Sequence, residues 1–273
     1  MKSLLVPIDH NPAAYPVLEM AALVARRFGS FIEGVPSIQD MPIVVTEVGG
    51  TWPFADEHRE KDRMSGAKQL FENFMTSNGI PGAGPAPNWR WHGERAIPDS
   101  QIGAAGRVFD AIVVGRPDPN GAYPRNTTFE AALFESGRPL ILAPPNAPAS
   151  IGTEIVVHWN GSTETARAIG AALPFLKEAN RVSVLAVEGA MADGPSGGEL
   201  VSRLARHGIK VEYVVKPGST RTSGELILDH AAAVGADLII KGAYTQSRLR
   251  QMIFGGATSH VLANASIPVL MAH

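Results

Sequence analysis

Short apolar runs punctuate the chain, most of them closed by a polar residue, a glycine or a proline. In the first half they fall at residues 3–8, 30–35, 88–92, 110–115 and 139–143. In the second half they fall at 154–159, 181–188, 210–215 and 237–241, with a last run in IPVLM near the C-terminus. Runs this short and this rich in Val, Ile and Leu read as strands buried on both faces. Between them the spacing turns helical. Leu18, Ala21, Ala22 and Ala25 recur at a helix period up to Arg27, and Gly29 stops that helix. Further helices are expected over about 55–77, 97–107 and 127–136, then 162–178, 198–207 and 222–234, with a short one after Gly255–Gly256. The Pro- and Gly-punctuated residues 36–53 read as a long loop, with VVTEV too isolated to be a core strand.

The two halves repeat one another. LLVPIDHN aligns with IVVHWNGS, FDAIVVGRPD with ADLIIKGAYT, and SGRPLILAPP with ASIPVLMAH. Pro144, Pro145 and Pro148 mark the join, giving units of 1–147 and 148–273. Each unit reads as five strands separated by four helices, which argues an α/β fold: a doubly wound parallel five-stranded sheet flanked by helices, made twice in tandem. Ligands of such sheets sit beyond the C-terminal strand ends where strand order reverses. Those ends are Asp9 and Gly115 in the first unit, Asn160 and Gly242 in the second.

Composition narrows the function classes. The chain of 273 residues is 45% hydrophobic and carries a net charge of −2, so nucleic acid is not the expected main partner. It has no cysteine, which excludes disulfides, thiolate chemistry and Cys-based zinc sites. No stretch of 18 apolar residues occurs and the N-terminus lacks a signal-peptide pattern, so a membrane partner is not expected and the expected location is the cytoplasm. Neither a P-loop nor a G-x-G-x-x-G fingerprint is present, and no HExxH. Gly194-Pro-Ser196-Gly-Gly198 has the form of a nucleophile elbow, but five residues separate it from its strand, so a loop or helix cap is the better reading.

The candidate chemistry lies between Asp237 and Leu270. An apolar strand ends in Lys241 and Gly242; a loop with Arg248 and Arg250 follows; Gly255 and Gly256 then open a helix. Backbone N–H groups at a helix start can bind an anion, and glycines allow a phosphate close approach. Lys241 has two readings, a point charge for a phosphate or a side chain running out to solvent. His158 either lines the pocket or packs beside Trp159, and Asn160 is either a nucleoside contact or a turn and cap residue.

On these residues the chain resembles the universal stress protein family in its tandem form. Nucleotide-binding members carry G-x2-G-x9-G-[S/T] after the fourth strand; here the same spacing holds Gly242, Thr245, Gly255 and Gly256, so the first and third positions match. Thr258 offers a hydroxyl two residues on, and Asp9 and Asn160 stand where the family places an aspartate after its first strand. The first unit has no comparable glycine loop after Gly115. The resemblance implies a sheet order of 3-2-1-4-5 and pairing of the units through PLILA and IPVLM. It also implies a stress-response role, an adenine nucleotide (ATP with Mg, or AMP) bound in the second unit, and the site set His158, Asn160, Val187, Lys241, Gly242, Thr245, Gly255, Gly256, Ala257 and Thr258. A homodimer is a further expectation. Two other readings stay open: an interaction module independent of nucleotide, and a slow nucleotide hydrolase, for which no base or metal constellation is visible.

Overall fold

The computed structural model describes residues 1–40, 57–93, 95–118, 120, 123–218, 220–243 and 256–273. The first half comprises β1 (Ser3–Ile8), α1 (Tyr15–Phe28), β2 (Phe31–Ile38), α2 (Glu57–Ser77), β3 (Asn88–Trp91), β4 (Ile97–Pro98), α3 (Ile102–Gly106), β5 (Ala111–Gly115), α4 (Asn126–Glu135) and β6 (Leu140–Ala143). The second comprises β7 (Glu154–His158), α5 (Thr163–Glu178), β8 (Arg181–Val187), α6 (Gly197–Ala205), β9 (Val211–Lys216), α7 (Ser223–Ala233), β10 (Leu238–Gly242), α8 (Ala257–Asn264) and β11 (Val269–Ala272).

The strands form one continuous sheet in the order β3-β2-β1-β5-β6-β11-β10-β7-β8-β9, with the short β4 set beside β2. Each half is parallel within itself. The halves meet where β6 and β11 pair antiparallel, Leu270 opposite Ile141. Counting the five main strands of each half, the order is 3-2-1-4-5 twice. The two apolar end strands, each an open edge in isolation, thus cover one another. Arg27 reinforces the join, donating to Ile151 O at 2.9 Å.

Side-chain alternation divides the core into two layers. Ile155, Val157, Leu238 and Ile240 pack with Val17 of α1, Phe71 of α2, Phe175 of α5 and Leu204 of α6. Val156, Ile239, Val269 and Met271 pack on the other face with Ile102 of α3, Phe129 of α4, Ile227 of α7 and Val261 of α8. Both faces are therefore covered, the condition for a parallel sheet whose strands are apolar throughout. Trp89 and Trp91 belong to the first layer, their rings 5.5 and 5.3 Å from that of Phe71. In α1 the chain turns off at Gly29, whose φ of 60° is left-handed and suits a residue without Cβ.

Two expectations need correction. The single helix expected over 97–107 is instead β4, a 3-10 turn at Asp99–Gln101 and the short α3. Pro98 has no N–H to give a helix and extends to ψ 142°; the Asp40 carboxylate holds Ser100 N at 3.1 Å. The stretch after residue 35 is not all loop, because β2 continues to Ile38 and pairs with β4 there. VVTEV and Trp52 lie outside the described residues.

Candidate functional site

The order of the sheet reverses direction twice, between β1 and β5 and between β7 and β10. The second of these is built by β7, β10, α5 and α8. Lys241 and His158 are register partners on adjacent strands, so their side chains project from the same face, the one covered by α7 and α8. Lys241 is 1% exposed. Its Nζ donates to Gly242 O at 2.6 Å and to Thr258 Oγ1, in the first turn of α8, at 2.8 Å. Lys241 therefore does not run out to solvent; it is folded back beneath the start of α8. Burial pulls its pKa down from 10.5 to about 7.

No carboxylate pairs with Lys241 among the described residues. The segment from Tyr244 to Gly255 adds none, holding two arginines and no acidic residue. His158 is equally enclosed. Its Nε2 is buried and finds no partner among the described residues, and burial, then the charge of Lys241, hold its pKa at about 3. It does not pack beside Trp159, which points to the opposite face and donates Nε1 to Pro195 O at 2.9 Å.

The other side of the strand ends is a turn and a cap. Asn160 Oδ1 accepts from Ser162 N at 3.2 Å and from Thr165 Oγ1 at 2.6 Å, while Ser162 caps α5. Asn160 is thus the turn residue of one reading, held at the strand end by the helix it introduces. Gly242 lies so close to this helix that a Cβ would stand 2.5 Å from Thr165 N and 2.8 Å from the carbonyl carbon of Glu164. Both are backbone atoms of a packed helix. Gly242→Ala is expected to cost about 1–3 kcal/mol, read as a lower denaturation midpoint in urea.

Helix α8 opens differently from its neighbours. Ser162, Ser196 and Thr222 cap α5, α6 and α7 with their side chains. Gly256 stands at the N-cap of α8 and has no side chain to cap it, and among the described residues no side-chain cap accepts from the leading N–H groups. Its leading N–H groups therefore keep the anion-binding character of a helix start. Ser196, the serine of the G-x-S-x-G string, is the α6 cap in a reciprocal box with Glu199.

His158, Asn160, Lys241, Gly242, Gly256, Ala257 and Thr258 thus gather at one switch point. Val187 ends β8, one strand over from His158. Thr245, Gly255, Arg248 and Arg250 lie outside the described residues. The partners Ser162 and Thr165 were missed in the sequence; a Ser-x-x-Thr string at a helix start is the cue that points to them.

The first half fills the matching place with its own side chains. The register aligns Pro7 with His158 and Val114 with Lys241, so neither polar residue recurs. Arg125, immediately before α4, supplies the cation instead. Its Nη1 donates to Asp9 Oδ2 at 2.6 Å, its Nε to Asp99, and its Nη2 to Ser37 O at 3.2 Å. Asp99 also accepts from Thr128 Oγ1 at 2.7 Å, and Arg63 closes over Asp9 from α2 at 2.5 Å. Burial pushes the Asp9 carboxyl up, but the hydrogen bonds and charges of Arg125 and Arg63 outweigh it and hold the pKa below the ordinary value. Asp9, the family-like aspartate, is occupied within the protein.

Comparison with known proteins bears on the fold. Residues 153–273 match the model of the universal stress protein family. The stress response protein NhaX of Bacillus subtilis is 40% identical over 47 residues, which span 17% of this chain and 28% of that protein, well under two thirds of its length. Among solved structures, a universal stress protein from Archaeoglobus fulgidus superposes with a TM-score of 0.73 at 17% identity, over 99% of this chain and 95% of that one. A putative universal stress protein from Pseudomonas aeruginosa superposes at 0.55 and 16% identity, over 99% and 92%. At these identities the likeness carries the fold.

Proposed function

We propose that this chain, whose residues 153–273 match the universal stress protein family, shares that family's stress-response role, and that its second half binds an adenine nucleotide and its first half binds none. The observation that carries this reading is a buried lysine that, among the described residues, has no carboxylate and lies under a helix start with no side-chain cap. A buried cation needs a counter-charge. In the first half Arg125 has two; in the second Lys241 has none among the described residues, and the phosphates of a nucleotide are the anion that the N–H groups of α8 and Thr258 would receive. The unpartnered Nε2 of His158 belongs to the same enclosure. The described residues hold no cluster of His and carboxylates suited to a metal, so Mg with ATP would be held through the phosphates. The chain gives regulation through occupancy rather than turnover.

Nucleotide-independent interaction is the second reading, and the closed first-half cleft favours it for that half. Calorimetry separates the two. One ATP or AMP per chain is expected, with a rise in melting temperature equivalent to about 2.7 kcal/mol when nucleotide stands at a hundred times its dissociation constant. Thr258→Val should shrink that rise. Two sites per chain would overturn the assignment of the first half, and no shift at millimolar ATP or AMP would overturn the proposal. Mass spectrometry of ligand released from denatured protein identifies the nucleotide directly.

A further inference from the structure

The sheet ends on one side in β9, and among the described residues nothing pairs with its outer edge. The opposite edge, β3, is only four residues long and follows a proline-rich stretch, two ordinary ways to blunt an edge. β9 has six residues and exposes two large apolar side chains, Tyr213 at 42% and Val215 at 46%. Such an edge invites a strand, and the sequence of β9 specifies which one.

The direction of the free hydrogen-bonding groups follows from the inner ladder. Val182 N donates to Lys210 O and Glu188 N to Lys216 O, both at 3.0 Å. Even-numbered residues of β9 therefore face β8, and strand alternation turns the N–H and C=O of Val211, Tyr213 and Val215 outward. An antiparallel partner of identical sequence must place odd residues opposite odd residues. Centring the pair on Tyr213 would set Lys210 against Lys216. Centring it on Val214 sets Glu212 against Lys216 twice over, and Tyr213 against Val215 as the hydrogen-bonded pair. That register joins opposite charges on one face and covers both exposed apolar side chains on the other.

We infer that β9 is a self-association edge: two copies of this chain pair β9 antiparallel about a two-fold axis at Val214, continuing the sheet from one molecule into the next. The interface is isologous, so it closes at two copies. Its strand contact is small beside the roughly 1,200–2,000 Å² of a standard stable interface, so the dimer is concentration-dependent.

Sedimentation of the full chain between micromolar and several hundred micromolar tests this. A monomer–dimer equilibrium is expected. Glu212→Lys should weaken it at least tenfold, and adding Lys216→Glu to the same chain should restore it. The cysteine-free background allows a second test. Val214→Cys should form a disulfide-linked dimer on mild oxidation, since facing residues of a non-hydrogen-bonded pair stand about 4.5 Å apart at Cα. Val215→Cys, which faces Tyr213 of the other copy, should not. A monomer at every concentration, a dimer indifferent to Glu212→Lys, or equal cross-linking by both cysteine variants would overturn the inference. Circular dichroism melts confirm that each variant is folded.

Discussion

Arg125→Met is expected to lower folding stability by about 3–5 kcal/mol at neutral pH. The guanidinium is 6% exposed and lies between Asp9 at 4% and Asp99 at 0%. Removing it leaves Asp99 without its counter-charge, Asp9 with Arg63 alone, and Ser37 O without its donor. Arg63 still reaches Asp9, so Asp99 bears the larger share of the loss. The pH dependence distinguishes this from a packing defect. In the parent protein the folded pKa of Asp9 lies below its unfolded value, so its contribution is full above that unfolded value and fades as pH falls through the folded one. In the variant Asp9 loses the Arg125 hydrogen bond and charge that lower its pKa, so it gains by taking up a proton. The gap between parent and variant should therefore narrow as pH falls from 7 toward 4, in urea titrations at each pH. A triple variant, Arg125→Met with Asp9→Asn and Asp99→Asn, should recover most of the loss. A deficit that stays constant with pH would refute the charge argument.

This network shows why the fold was legible in the sequence and part of the site was not. Strands such as β5, β6 and β10 announce themselves locally, because a strand buried on both faces must be apolar without interruption. The tandem repeat followed from aligning those runs, and the antiparallel β6–β11 join followed from the family resemblance. Asp9, Arg63, Asp99 and Arg125 carry no such local mark. They are separated by 26 to 116 residues and meet only because the topology brings β1, α2 and α4 to one strand end. The region 97–107 failed for the opposite reason: its local pattern was helical, while Pro98 and the pairing of β4 with β2 overrode it. The glycines of the second half pointed by spacing to the β7–β10 switch point, where Gly242 and Gly256 stand. What they could not convey was the inward turn of Lys241, since a lysine at a strand end ordinarily reaches water.

Lys241→Met should make the protein more stable near pH 6 and remove a pH slope that the parent has. The fall of the Lys241 pKa from 10.5 to about 7 corresponds to about 4–5 kcal/mol of charge burial. Because the folded pKa is below the unfolded one, the penalty is full below pH 7 and disappears as pH rises toward 10.5. Parent stability should therefore climb across that window by up to about 1.4 kcal/mol per pH unit. Methionine fills a similar volume without charge, but leaves Thr258 Oγ1 without its donor, which costs about 1 kcal/mol. A net gain of about 2–4 kcal/mol at pH 6, closing by pH 10, is the expected result. His158 adds an effect of the same sign at lower pH: its folded pKa of about 3 lies below the ordinary 6.5, so acid costs stability between those values, and losing the Lys241 charge should raise it. Saturating ATP provides the decisive comparison. A bound phosphate would hold Lys241 in its charged form, flattening the slope of the parent above pH 7 while leaving the variant unchanged. If nucleotide leaves the slope as it was, the lysine does not serve the bound anion. If the variant is less stable at pH 6, the ammonium is satisfied within the fold, and the case for a missing counter-charge falls with it.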